Sequence, residues 1–223
     1  MLIENLKEIL SKLKNGNCFG EEVLLVGATK MVDADTINLA VQNGLKAVAE
    51  NKVQEFREKT PLINGASIHF IGHLQTNKVK YLVGKVELIH SIDSFRLAEE
   101  VSKEAQKKSV RQNVLVQINV SGETSKGGFD FENAKQAVRD VDNLPGVHVS
   151  GLMTMFPALA NENEIACLCG KMRNLYDQLK KDGVDMRYLS MGMSKDWEIA
   201  VRYGSNTVRI GSAIFGKRIY NEV

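Results

Sequence analysis

In VLLVGATK, residues 23–30, four consecutive apolar residues run into a glycine and an alanine, and the run ends on a lysine. A short continuous apolar segment of this kind is the pattern of a strand buried on both faces, as in a parallel sheet. Gly27 and Ala28 keep the chain thin, so another group can approach the backbone closely. Lys30 then falls where a parallel strand leaves the sheet. Two readings of it stand side by side. It is a lysine that lays its stem along apolar surface and keeps its ammonium in water. Or it is an amine made nucleophilic by an apolar setting, ready to condense with a carbonyl.

Outward from this stretch the same alternation repeats. Strand patterns begin near residues 23, 46, 67, 86, 113, 147, 186 and 207, and a helical pattern follows each of the first seven. Asp33 caps a helix over 34–43, and the later helices cover 52–59, 76–82, a stretch capped by Asp93 or Ser94 and ending near 108, 131–141, 162–181, and a stretch from a Ser194 cap to about 203. The last strand is read as 207–215. Ahead of them MLIENLKEILSKLK reads as an amphipathic helix with Leu2, Ile3, Leu6, Ile9, Leu10 and Leu13 on one stripe. Strands alternating with helices form right-handed βαβ units and a parallel sheet. Eight such units predict an α/β fold, a single (β/α)8 TIM barrel with an N-terminal helix, spanning residues 1–223 as one domain. A doubly wound open sheet is the alternative. It would gather its polar motifs at one switch point, whereas here they sit at the C-terminal end of nearly every strand.

Composition narrows the function classes. The 223 residues carry a net charge of +2 from 29 basic and 27 acidic side chains, with no dense Lys/Arg block, so no nucleic-acid partner is expected. No apolar run is long enough to span a bilayer, and the N-terminus lacks the basic and apolar regions of a signal peptide. Three cysteines, Cys18, Cys167 and Cys169, form no disulfide framework and point to a reducing, cytoplasmic setting. Cys167 and Cys169 fall on different helix faces as packing or surface residues. His69, His73, His90 and His148 have no metal-ligand spacing, so no metal is expected. The Gly-rich segment 121–128 lacks P-loop spacing and reads as a lid over the barrel mouth, with Lys126 solvated. Asp130 and Asp196 read as helix-terminus residues and Trp197 as a helix-packing residue.

The strand ends carry the chemistry. Lys30, Asn51, His73, Asp93, Asn119, Met153, the run 190–194 and the run 209–212 all belong at one barrel mouth. Gly192 and Ser194 precede a helix, and Gly211 and Ser212 sit at the neighbouring strand end. Backbone N–H groups and hydroxyls there make an anion site, and strands seven and eight are where such barrels hold phosphate. Met153, Met155, Met191 and Met193 suggest a thioether lining, with barrel packing the plainer reading of Met155 and Met191. A lysine facing a phosphate cup suggests a phosphorylated aldehyde or ketone bound as an imine. Either a phosphorylated sugar in an aldolase or pyridoxal 5′-phosphate (PLP) satisfies this. Arg209 favours PLP, because its guanidinium can face the pyridine nitrogen. Its plainer reading is a strand-end ion pair.

GATK at 27–30, AENKVQE at 49–55, HFIGHLQTNK at 69–78, HSID at 90–93, QINVSGETSKGGF at 117–129, GLMTM at 151–155 and LSMGMSKDWEIAVRYGSNTVRIGSAIFGKR at 189–218 together closely resemble the YggS/PROSC family of PLP homeostasis proteins. That family has the fold of the alanine racemase N-terminal domain. The resemblance implies that Lys30 carries the cofactor as an aldimine. It implies phosphate contacts from Ser194, Gly211 and Ser212, an Arg209 partner for the ring nitrogen, and Asn51 near the cofactor. Ala49 departs from the family's usual glycine before Glu-Asn. The expected function is PLP buffering or delivery in a monomer or weak dimer, with apo-enzymes that use PLP as recipients, rather than catalysis. A racemase needs bases on both faces of the bound substrate, and the racemase with this fold draws one from a β-rich domain for which this chain has no counterpart. A racemase-like enzyme and a lysine aldolase are the competing readings.

Overall fold

The structure, a computed structural model, describes residues 1–123 and 126–216. Nine strands occur among them: β1 (Leu24–Ala28), β2 (Ala47–Glu50), β3 (Ser67–Phe70), β4 (Leu88–Ile92), β5 (Gln112–Asn119), β6 (Phe129–Asp130), β7 (Val147–Met153), β8 (Tyr188–Ser190) and β9 (Thr207–Ile210). All pair in parallel. β1 to β5 neighbour one another in sequence order, β5 continues to β7, and β8 and β9 follow. β9 then returns to β1, with Leu24 opposite Thr207, and the ring of eight strands is closed. The two-residue β6 stands outside the ring, against Ile118 and Asn119 of β5.

The apolar run of β1 is buried on both faces. Val26 points to one side with Ala47 and Ala49, a small-residue cluster inside the barrel. Leu25 lies on the other side with Leu45, Ile37 and Ile210, under the helices. A strand flanked by core on both faces must be apolar at consecutive positions. The outer layer consists of α1 (Leu2–Leu13), α2 (Ala34–Gln42), α3 (Val53–Lys59), α4 (Phe95–Lys107), α5 (Ala134–Asp142), α6 (Glu162–Lys181), α7 (Trp197–Arg202) and α8 (Ser212–Phe215). Leu6, Ile9 and Leu13 of α1 bury the predicted stripe against Trp197 and Ile214. Asp33 accepts the Thr36 N–H at 2.8 Å as the α2 cap, and Ser94 caps α4. Cys169 is buried in the core and Cys167 is exposed.

Three elements depart from the sequence reading. Between β3 and β4 the chain forms a 3-10 helix at Thr76–Tyr81 rather than an α-helix. β9 ends at Ile210 instead of running to Phe215, because Gly211 turns the chain into the short α8. Ser194 does not cap α7. Asp196 takes the N-cap position and accepts the Met193 N–H, while the Ser194 hydroxyl is engaged across the gap by the backbone of 211–213. Among the described residues no helix is long and apolar enough to cross a membrane.

Candidate functional site

A cleft of about 770 Å³ opens at the C-terminal end of the barrel strands. Its wall includes Asn51, Ser194, Arg209, Gly211 and Ser212, five of the seven residues the sequence singled out for cofactor binding. Met193, expected in a thioether lining, and Met155 lie in this wall, and Ile71 and Phe156 add apolar surface that the sequence did not assign to a site. A cleft of this size, mostly apolar with a few convergent polar groups, suits a small organic ligand.

Arg209 comes from the middle of β9, one of the most enclosed positions in the sheet, and only 4% of it is exposed. Its Nη1 donates to the Ser190 carbonyl at 2.9 Å and to Ser190 Oγ at 2.6 Å, and its Nη2 donates to the Thr154 carbonyl at 2.9 Å. The ion-pair alternative does not hold: among the described residues Arg209 has no carboxylate within salt-bridge distance. Burial lowers its pKa to about 10, so the guanidinium stays charged at neutral pH. A buried, fixed cation with hydrogen-bonding capacity left over is a costly arrangement for stability alone.

The phosphate-type corner is built by two turns. At the β8–α7 turn, Gly192 has φ +98°, and a Cβ there would stand 2.7 Å from Ala200 Cβ and 2.9 Å from Trp197 Cα. Only glycine fits, and the turn it permits carries Ser194 to the start of α8. There Ser194 Oγ accepts N–H bonds from Gly211 and Ala213, each at 3.3 Å. Two backbone donors and a hydroxyl thus meet at one wall of the cleft, with the Ser212 side chain exposed beside them. On the opposite side Gly72 lets β3 approach β2: a Cβ at 72 would lie 1.9 Å from the Asn51 carbonyl oxygen. This close contact fixes the strand end that presents Asn51.

Lys30 stands at the same rim, two residues beyond β1 and half-buried, while Ala28 forms the cleft wall on that strand. The backbone on both sides of Lys30 is clamped. Thr29 is buried, and its hydroxyl donates to Glu50 Oε1 at 2.6 Å. Met31, in the left-handed region at φ 60°, donates its N–H to Glu55 Oε2 at 2.7 Å. Lys59 Nζ ties the two together, reaching Glu50 at 2.7 Å, Glu55 at 2.9 Å, and the carbonyls of Thr29 at 2.8 Å and Val32 at 3.1 Å. Burial pushes the Glu50 carboxyl above its ordinary range, more than Lys59 and Thr29 pull it down. The sequence placed Glu50 beside Asn51 at a strand end, and a nearly unexposed carboxylate in that motif was the available signal of this clamp.

Other assignments shift. Met153 is not brought to the cleft: it is 1% exposed and packed with Leu88 and Leu115 inside the barrel. Met153 is the last residue of β7 and points into the barrel interior below the mouth, while Met155, expected to pack, lies two residues past the strand end and reaches the cleft. Met191 packs in the core as expected. Lys126 is not solvated; its side chain is 18% exposed, with Nζ 3.4 Å from the Met155 carbonyl and 3.5 Å from Glu123. Asn119 turns inward to its own loop, donating to the carbonyls of Glu123 and Lys126, and accepts from Gly122. The expected lid includes residues 124 and 125, which lie outside the described residues. Sequence spacing gave no sign that His69 and His90 pair, 3.0 Å apart, in the barrel interior. Among the described residues no group of three or more His, Cys, Asp or Glu is placed to hold a metal ion.

The comparisons with known proteins agree with this geometry. The chain belongs to the alanine racemase N-terminal domain family, whose sequence model matches residues 3–219. It groups there with the pyridoxal phosphate homeostasis proteins. That of Aquifex aeolicus is 46% identical over 199 residues, covering 88% of this chain and 87% of the relative. That of Haemophilus influenzae is 35% identical over 226 residues, covering 99% and 94%. Among solved structures, PipY of Synechococcus elongatus PCC7942 with PLP bound has a TM-score of 0.85 at 28% identity, covering 97% of this chain and 100% of that one.

Proposed function

We propose that this protein binds pyridoxal 5′-phosphate in the cleft at the barrel mouth and serves PLP homeostasis by holding and releasing it, without robust turnover. The observation that carries the reading is the joint placement of Arg209, Ser194 and the 211–213 backbone on one cleft wall with Lys30 at the same rim. The donor set fits the molecule. Ser194, Ser212 and the N–H groups of Gly211 and Ala213 would take the phosphate, Arg209 the ring nitrogen, and Lys30 the aldehyde. Asn51 borders the ring. Bound PLP supplies an aldehyde that condenses reversibly with amines, and a ring that can delocalise a carbanion when its nitrogen is protonated. Arg209 is a donor and a cation, so it leaves that nitrogen without a proton and weakens the ring as an electron sink. Apolar Ile71, Met155 and Phe156 exclude water from the ring's surroundings. The homeostasis role is supported by the names of the relatives and the cytoplasmic setting by the cysteine composition, and PLP-using apo-enzymes as recipients are part of this proposal.

Lys30→Ala tests the assignment. Wild-type protein loaded with PLP and treated with borohydride is expected to carry one label, on the peptide containing Lys30. Lys30→Ala is expected to lose the label yet keep weaker, reversible PLP binding, because the phosphate corner does not use Lys30. A label of equal stoichiometry in Lys30→Ala would overturn the assignment.

A further inference from the structure

Behind Arg209 runs a chain of hydrogen bonds that crosses the barrel interior. His90 on β4 reaches Ser190 on β8, with Nδ1 to Oγ 3.1 Å. His90 Nε2 lies 3.0 Å from His69 Nδ1, and His69 Nε2 lies 3.2 Å from Ser67 Oγ. His69 is 2% exposed, and His90 and Ser190 are fully buried. β4 and β8 are not neighbours in the ring, so the His90–Ser190 contact bridges the barrel.

The protons in this chain follow from its end. Arg209 can only donate, so Ser190 Oγ accepts from it. Among the described residues the acceptor left for the Ser190 hydroxyl proton is His90 Nδ1. His90 then carries its proton on Nε2 and donates to His69 Nδ1. His69 donates from Nε2 to Ser67, whose hydroxyl has the Lys46 carbonyl at 3.4 Å. Each donor has one acceptor, and both imidazoles are neutral. Burial lowers the pKa of both, to about 4 for His69, and Arg209 adds to the effect at His90. The chain therefore holds Arg209 with a hydroxyl, two carbonyls and neutral rings, where a carboxylate would have cancelled its charge. Three of its five N–H groups are spent on Ser190 and Thr154, which fixes the plane of the guanidinium and leaves two for the cleft.

We propose that Ser190, His90 and His69 form a positioning relay that orients Arg209 and keeps its charge uncompensated toward the ring nitrogen of bound PLP. The inference rests on the PLP reading above. The relay makes Ser190 and the two histidines part of the cofactor's electronic environment, although none of them touches the cofactor.

Two measurements test it. In the protein without cofactor, ring-nitrogen NMR at neutral pH is expected to show His69 and His90 both neutral and both protonated on Nε2. A proton on Nδ1 of His90, or a charged ring at either position, overturns the relay without reference to PLP. With PLP, Ser190→Ala and His90→Leu are expected to weaken affinity about tenfold and to shift the visible absorption band, while Ser190→Thr restores both. Borohydride labelling at Lys30 is expected to persist in all three. Folded variants with unchanged affinity and spectrum, alongside a wild type that labels normally, overturn the relay alone. A wild type that binds no PLP overturns the proposed function and the relay's role with it.

Discussion

Arg209 and Lys59 are both buried cations in this barrel, and their partners set them apart. Lys59 is surrounded by two carboxylates and two carbonyls, while Arg209 has neutral partners throughout. Lys59 belongs to the architecture of the Lys30 loop, and on the proposed reading Arg209 is kept charged for a ligand. Arg209→Glu would put a carboxylate where the ring nitrogen is to lie and favour its protonation, so the absorption spectrum of PLP-loaded protein is expected to shift. An unchanged spectrum in a folded Arg209→Glu protein would place Arg209 away from the ring. At the clamp the expectation concerns stability. Lys59→Met strands the buried Glu50 carboxylate and is expected to cost about 3 kcal/mol in urea unfolding. Glu50→Gln keeps an acceptor for Thr29 and leaves Lys59 with Glu55, so it is expected to change stability by less than about 1 kcal/mol. Its pH profile also differs. The folded Glu50 carboxyl holds its proton above the ordinary value of 4.5, so its contribution to stability is greatest below pH 4.5 and declines as pH rises through the raised pKa. Stability curves for wild type and Glu50→Gln should converge toward acid, and the wild type should lose ground to the variant as pH rises through the raised pKa; parallel curves would refute this account.

The decisive element is the turn between β8 and α7. Its glycine at 192 is held at φ +98° against Ala200 and Trp197, so Gly192→Ala meets both backbone strain and a clash. A loss of about 2–3 kcal/mol in urea unfolding is expected, together with weakened phosphate binding as Ser194 moves from the 211–213 backbone. A variant as stable as wild type, with equal affinity for inorganic phosphate, would remove this turn from the site. Elements were legible from sequence where one period dominated. The apolar run at 23–26, the α1 stripe and the Asp33 cap needed no tertiary information. The Thr76–Tyr81 segment was not legible as a 3-10 helix, because its short pattern suits either helix type. Ser194 was misread as a cap because a serine before a helical pattern ordinarily is one. What overrode that rule was the neighbouring strand end, which offers two N–H groups that only the folded barrel brings near. Met153 was misplaced for a related reason: sequence locates a strand end only to within a residue or two, and because β7 ends at Met153 that side chain stays in the interior layer below the mouth.

At the scale of the whole barrel, the strand ends gather Lys30, proposed to form the imine, and one fixed cation, and the question is whether they amount to an enzyme. Racemisation or transamination needs a base positioned at the substrate's α-carbon and a ring nitrogen able to accept charge. Lys30 supplies one base. Of the described tyrosines, Tyr176 is buried with its hydroxyl donated to the Met186 carbonyl, Tyr188 packs on the barrel-interior cluster, Tyr81 lies under the Arg57 guanidinium, and Tyr203 closes α7 on the outside. None of these is part of the cleft wall. Tyr220 lies outside the described residues. The other basic side chain in the wall, Lys195, is exposed to solvent. If Arg209 faces the ring nitrogen as proposed, it would withhold a proton from it, and the α-proton of a bound amino acid would not be made acidic enough for rapid removal. The expectation is that PLP-loaded protein, incubated with L-alanine and other amino acids in deuterated water, exchanges the α-proton no faster than free PLP at equal concentration. Saturable exchange that is lost in Lys30→Ala would make the protein an enzyme. Arg209→Glu sharpens the comparison, because restoring ring protonation should raise exchange above the free-cofactor rate if the missing electron sink, and not the missing base, is what holds the wild type back.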